Sequence, residues 1–302
     1  MKKIVFVLAL PLLLLACKDS EEKLVAINDT IETSKTEAPA NRTLSEEFKA
    51  YWYNGTAEIT SYKLSQERYG ELREGTAVNI FVTEDFLPNE QVKADRQATT
   101  NIPVLKLNNT KKFLTGIYPY SIMTSAFSPV SEKGHALKIS HSMQEWCGHV
   151  YIQLNNRDDF ELLSHSYFEG EADQSFSLPK TWLENELWNL IRINPDELPT
   201  GDIAMIPSLE YTRMRHKGLA AQEATATLTQ NEGTSIYKLR YPQLQRELTI
   251  FFNSEAPFTI EGWEESGRNG LITTATKLKQ IRSPYWGKNG NKDLVLRDSL
   301  GL

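Results

Sequence analysis

Two cysteines in 302 residues, a shortage of basic side chains and an absence of compact catalytic motifs exclude several classes of protein at once. Lys and Arg total 33 against 39 Asp and Glu, a net charge of −6. Nucleic-acid binders concentrate positive charge, and polybasic segments are what dock on anionic lipid headgroups, so no nucleic-acid partner is expected. After the first seventeen residues no apolar run approaches the roughly 20 needed to span a bilayer as a helix. No repeat of fixed period recurs, which argues against a propeller or a solenoid. The chain holds no Gly-x-Ser-x-Gly elbow, no phosphate-cradling glycine loop, no His-Glu-x-x-His and no Cys-x-x-Cys. Those patterns carry much of acyl-transfer, nucleotide, zinc and redox chemistry. The composition leans away from an enzyme, without excluding one, and implies no cofactor.

What is present begins at the N-terminus. Lys2 and Lys3 precede an apolar run from Ile4 to Leu15, followed by small Ala16 and then Cys17. A positive start, a short apolar core and a small residue before the cleavage point form the layout of a secretory signal peptide. The ending Leu14-Leu15-Ala16-Cys17 resembles a bacterial lipobox. That resemblance implies removal of residues 1–16, lipidation of Cys17, and a lipid anchor in the cell envelope, at the outer membrane. The acidic stretch Cys17-Lys18-Asp19-Ser20-Glu21-Glu22 resembles export signals of some Gram-negative surface lipoproteins. It reads equally well as a solvated linker, so periplasmic and surface exposure both stay open. With Cys17 so used, Cys147 has no intramolecular partner and is expected to be buried as a small apolar side chain.

Residues 17–43 are polar and without period. Such a segment cannot bury enough apolar surface to offset its ordering entropy, and it reads as a disordered tether. A β-rich domain is expected over 44–286 and a polar C-terminal tail over 287–302. Ser45 can cap a short helix carrying Phe48, Tyr51 and Trp52. From Ala57 onward β-branched and aromatic residues dominate, with Gly70 and Gly75 as punctuation. An Asn108-Asn109 turn is expected within the next strand pair. A second helix, the longest, is expected near Pro179–Arg192, where Trp182, Leu183, Leu187, Leu190 and Ile191 recur at helical spacing. Further strands are expected at 209–213, 220–229, 236–241, 247–253, 258–264 and 272–280. The sum is a mainly β fold of curved antiparallel sheet, half-barrel or barrel-like, with one or two short helices.

Residues 135–168 form the clearest hairpin. Leu137, Ile139, His141 and Met143 are odd-numbered, whereas Trp146, Val150, Ile152 and Leu154 are even-numbered. One extra residue exchanges the two faces of a strand, so a β-bulge at Cys147-Gly148 is expected, with Cys147 buried and His149 facing out. The same hairpin gathers His135, His141, His149 and His165 beside Glu145. Imidazole and carboxylate are common metal ligands, which makes His141, Glu145, His149 and His165 the candidates for a metal or catalytic site, although their spacing matches no known ligand motif. The six tryptophans suit sugar rings or apolar tails and also simply fill β cores. Charged pairs such as Arg246/Glu247 and Glu264/Glu265/Arg268 read as solvated surface.

The order of elements in the second half carries a further resemblance. Leu187-Trp188-Asn189-Leu190-Ile191-Arg192, then Leu198-Pro199-Thr200-Gly201, Tyr237-Lys238-Leu239 and Glu255 to Trp263 describe a helix ending in arginine followed by antiparallel strands. This is similar to periplasmic half-barrel domains of unknown function, and it carries over no functional residue. The whole chain also resembles Gram-negative lipoproteins that sometimes bear the label "septum formation inhibitor Maf". Ser128-Pro129-Val130 and Ser283-Pro284-Tyr285 lack the paired arginines of the true Maf motif, so that label implies no activity here. Two function classes remain. The favoured one is a non-catalytic envelope module that binds an apolar or glycan ligand, or an envelope protein partner, in a curved sheet. The rival is a hydrolase or metalloprotein using His141, Glu145 and His149.

Overall fold

Alternating burial runs through most of residues 40–302, the part of the chain that the computed structural model describes, and it builds one sheet of 16 strands. The expected signal peptide, Cys17 and most of the expected tether lie outside the described residues. The first run of strands is β1 (Ala57–Arg68), β2 (Glu71–Leu87), β3 (Val92–Lys93), β4 (Ile102–Thr115), β5 (Tyr118–Pro129), β6 (Lys138–Glu145), β7 (Gly148–Asn156), β8 (Phe160–Ser166) and β9 (Gln174–Leu178). The second is β10 (Trp182–Leu183), β11 (Gly201–Ile206), β12 (Gln222–Gln230), β13 (Thr234–Tyr241), β14 (Arg246–Asn253), β15 (Ile260–Ser266) and β16 (Ile272–Ser283). Sequence neighbours pair antiparallel within each run, two-residue β3 sits on β2 alone, and β16 pairs with β1 to join the runs. The pair β10–β11 is parallel.

The free edges of this sheet are β9 and β10, yet only residues 179–181 separate them in the chain. So short a link reaches roughly 14 Å from Leu178 to Trp182. The sheet must therefore curl until its two edges face each other, without a hydrogen-bonded seam. The result is the expected mainly β, barrel-like body.

Helix α1 (Glu46–Trp52) starts as its sequence indicates, with the Ser45 hydroxyl accepting from the Phe48 N–H at 3.1 Å. Helix α2 (Glu184–Ile193) begins later than the helical spacing suggests, because Ser177 and Leu178 complete β9 and Trp182-Leu183 pair with Met205-Ile206. Leu183 has no capping oxygen, and the Glu186 carboxylate takes its N–H instead at 3.0 Å. Eight of the ten residues of α2 are buried, including Glu184, Glu186 and Arg192. The helix thus lies inside the curled sheet, in one apolar core with Tyr62, Phe81, Leu105, Leu154, Tyr237 and Phe252. A short helix α3 (Leu209–Met214) occupies the segment expected to be a strand, with the Ser208 hydroxyl accepting from the Tyr211 N–H at 3.1 Å.

Four other expectations are corrected. Asn108-Asn109 is no turn: both lie in the middle of β4, Asn108 accepting from the Ser125 hydroxyl and Asn109 donating to Asn79 Oδ1. Cross-strand amide bonds replace the local ones that make asparagine a turn former. Residues 40–43 belong to the domain rather than to the tether. Asn41 bridges Glu132, and the Arg42 guanidinium pairs with Glu197 and donates to the Pro129 carbonyl at 2.7 Å. Residues 287–302 are no free tail. They form α4 (Val295–Ser299), and Leu300 packs on Ala57, Ile59 and Val82 over the outer face of β1 and β2. That cover explains why β1 is buried on both faces.

The fourth correction concerns the parity change. Trp146-Cys147 is a two-residue turn, and Glu145 pairs with Gly148, Met143 with Val150 and His141 with Ile152. Partners across such a turn have opposite parity, so a tight hairpin, and not a bulge, moves the inward face from odd to even. Trp146 and Cys147 sit on the turn and are exposed. His149 faces out as expected.

Candidate functional site

Tyr, Trp and charged side chains meet in a cavity of about 230 Å³ between α2, α3 and the inner faces of β1, β4, β14 and β15. Its apolar wall includes Leu107, Met214 and Leu248, with Trp188 of α2 and Trp263 of β15. The two indoles meet edge to face, centroids 5.2 Å apart at 88°, a favourable arrangement of their quadrupoles.

The charged groups in the wall are held against one another. Arg246 reaches both Glu184 oxygens, at 2.5 and 2.7 Å, and its Nε donates to Glu265 at 2.7 Å. The Tyr241 hydroxyl donates to the same Glu184 at 2.8 Å. Burial would raise the Glu265 carboxyl, but the charge of Arg246 outweighs it and holds the group below the usual carboxylate range. Lys111 Nζ lies 2.6 Å from Glu210. Glu67 pairs with Arg215 and accepts from Asn269 Nδ2 at 2.8 Å. Buried ions are tolerated only when paired and hydrogen-bonded, and this wall meets that condition.

Gln66 is different. Its amide nitrogen donates to the Glu67 carbonyl and to Thr273 Oγ1, both at 3.2 Å, while its Oε1 is buried with no partner among the described residues. An orphaned buried acceptor is an unusual feature, but this oxygen is closed off from solvent and offers no contact to a molecule in the cavity. No histidine lines the cavity among the described residues, and the Ser208 hydroxyl is engaged as a helix cap. The arrangement can hold a small molecule by stacking and hydrogen bonding. It shows no nucleophile paired with a base.

The residues singled out in the sequence are not brought together. His141 points inward from β6, fully buried, with Nδ1 at 2.9 Å from Thr124 Oγ1 and Nε2 unpartnered among the described residues. Burial, reinforced by the positive charges of Arg213 and Lys111, pushes its pKa down to about 3. Glu145 is buried at the end of the same strand and accepts from the Cys147 N–H at 2.7 Å. Hydrogen bonding to that carboxylate also raises the Cys147 thiol above its ordinary range, the wrong direction for a nucleophile. His149 and His165 lie on the outer face, in a shallow hollow with Asp173, whose carboxylate is 3.1 Å from His165 Nδ1. His135 is elsewhere, 2.9 Å from Glu186. Among the described residues no three His, Cys, Asp or Glu are arranged to hold a metal ion.

The cavity residues escaped the sequence reading because their meaning is relational. Arg246 and Glu265 read as surface charge, and the structure buries Arg246 against a helix about sixty positions away. The one available signal was Glu184 and Glu186 beside the apolar stripe of Leu183, Leu187, Leu190 and Ile191, carboxylates that need partners if the helix is interior.

No family model matches the chain, and no curated protein matches it. Among solved structures it is similar to a β-barrel-like protein of a domain of unknown function, DUF1849, from Brucella abortus, at 8% identity and a TM-score of 0.46. That likeness covers 75% of this chain and 98% of the other.

Proposed function

We propose that this protein is a non-catalytic binding module of the cell envelope, anchored through lipidated Cys17, whose interior cavity takes a small ligand with both an apolar face and hydrogen-bond donors, as a glycan residue has. One observation carries the reading: Trp188 and Trp263 share a cavity wall with the hydrogen-bonded carboxylates of Glu184 and Glu265. Binding sites for small molecules are concave and apolar with a few placed polar groups. At about 230 Å³ the cavity suits one ring or a short chain rather than an extended lipid. The lipobox supports the anchor, and the prepaired charges of the wall support holding over turnover.

Native mass spectrometry of the full chain purified from its membrane tests this reading. A co-purifying mass is expected, lost in Trp188→Ala and weakened in Trp263→Phe. A chain that carries no small molecule and takes up none from an envelope glycan extract would refute the reading. So would a mass retained unchanged by both variants.

A further inference from the structure

The hairpins of the first run alternate between the two ends of the curled sheet. The tips at Tyr69-Gly70, Gly116-Ile117, Trp146-Cys147 and Tyr167–Asp173 therefore share one end. Register confirms the placement: Gly75 pairs with Phe113 and Ser121 with Gln144, and the Tyr167 N–H donates to the His149 carbonyl. Gln66 and Glu67, next to the first tip, also line the cavity, so the cavity lies toward this end.

These tips are unusually apolar. Ile117 is 82% exposed, Tyr167 74% and Trp146 68%, with Leu114 and Tyr69 exposed beside them. Tyr118 lies 6.3 Å from Trp146, centroid to centroid. From Phe113 to Ser131 the chain holds no charged residue, and Glu145 turns its carboxylate back onto Cys147 N. Acidic groups flank the row: Glu71, paired with Arg73, follows the first tip, and Glu169 and Asp173, the latter paired with His165, sit on the outermost tip.

We propose that this rim docks on a lipid bilayer, with Leu114, Ile117 and Trp146 entering the headgroup–acyl boundary. Three observations favour lipid over a protein partner. The apolar groups are prongs on two hairpins, Leu114 and Ile117 on one and Trp146 on the next, about 10 Å apart from tip to tip across two strand spacings. A stable protein interface instead needs a continuous face of about 800 Å² per partner. The composition, aliphatic at the points with tyrosine and tryptophan around them, is that of membrane-interface anchors. The chain outside the described residues also allows it. The 22 residues from Lys18 to Pro39 can extend to roughly 75 Å, which exceeds the roughly 56 Å length of a 17-residue strand such as β2. A protein held at Cys17 can therefore enter its domain at the far end, near Asn41 and Glu132, and still turn this rim to the same membrane.

The test reconstitutes the full chain in phosphatidylcholine vesicles brominated near the headgroup end of the acyl chains, and reads tryptophan emission. Quenching is expected in the wild type, with the share due to Trp146 missing in Trp146→Phe. Ile117→Asp together with Leu114→Asp should abolish that share while leaving the far-UV circular dichroism unchanged. Thiol modification of Cys147 by an impermeant reagent should slow when vesicles are added. Equal quenching in wild type and Trp146→Phe would overturn the proposal, as would Cys147 reactivity that vesicles leave unchanged. A vesicle-free chain that self-associates through Trp146 and shows no bromine quenching would assign the rim to a protein contact instead. Loss of cavity ligand in Trp188→Ala would leave these readouts unmoved, so the two proposals fail separately.

Discussion

Replacing Arg192 with Met should be among the most damaging single changes to this fold. Arg192 and Glu58 are both fully buried, joined by two guanidinium–carboxylate contacts, of which Nη2 to Oε2 is 2.7 Å. Arg192 Nε also donates to the Pro257 carbonyl at 2.9 Å, and the guanidinium lies 4.9 Å from the Trp52 ring centroid and 4.8 Å from that of Phe81. Methionine keeps much of the volume but leaves Glu58 as a buried carboxylate served by the Tyr51 hydroxyl. Breaking a buried pair on one side costs about 3–5 kcal/mol, roughly 6–20 °C in melting temperature for a domain of this size. Removing both charges, in Arg192→Met with Glu58→Gln, should cost clearly less than the two single changes added together. The loss should also depend on pH. Burial by itself would raise the Glu58 carboxyl, but the charge of Arg192 and the hydrogen bonds from Arg192 and Tyr51 outweigh it, and the group is lowered. Its stabilisation is therefore complete above the unfolded carboxyl value of about 4.3 and disappears as pH falls through the lower folded value. In the Arg192→Met chain, burial is opposed only by the Tyr51 hydroxyl and the more distant charge of Arg282, so the gap in stability between wild type and variant should narrow on acidification. Urea denaturation at neutral pH and near pH 3 reads both effects. A single change costing under about 1 kcal/mol, or strict additivity in the double variant, would refute the view that this pair fixes α2 inside the sheet.

Three further outcomes are expected. Because the folded value of His141 is pushed down to about 3, the unfolded chain takes up a proton that the folded chain refuses below about pH 6.5. Stability should then fall by about 1.4 kcal/mol per pH unit on acidification, and urea titrations of His141→Gln should show that slope removed between about pH 6 and 4.5. A Cβ at Gly148 would stand 2.7–2.8 Å from Tyr167 side-chain atoms, including its Cβ, so Gly148→Val should cost about 1–3 kcal/mol in thermal melts and be rescued only in part by Tyr167→Ala, which removes the ring clash and keeps the Cβ clash. At Gly75 a Cβ would lie 2.3 Å from the Lys112 carbonyl oxygen of the adjacent strand. Gly75→Ala should therefore destabilise by about 1–3 kcal/mol or more, with no side-chain change able to rescue it.

Much of the fold was legible because strands and capped helices are local events. Period-two alternation located most of the strands, and Ser45 with the apolar spacing of Phe48 to Trp52 located α1. Even the face change at Trp146-Cys147 was visible as a switch of parity, with tight turn and bulge indistinguishable until the pairing of Glu145 with Gly148 decided between them. Segment 209–213 shows the limit of such reading. Its alternation suited a strand, and the Ser208 cap, together with Asn185 accepting the Leu209 N–H at 3.0 Å, made it a helix.

What the sequence by itself determined was which residues prefer a pleat, a turn or a helix, and how its N-terminal segment resembles a lipobox. What only the tertiary structure decided was where charge is buried. Arg192 and Arg246 carry no local mark that distinguishes them from solvated side chains. Each becomes interior because the sheet curls until β9 and β10 face each other and encloses α2. Once water is excluded, an ion remains only where an opposite charge from a distant strand meets it. The partners stand 134 positions apart for Glu58 and Arg192 and 62 for Glu184 and Arg246, separations over which no local sequence pattern reaches.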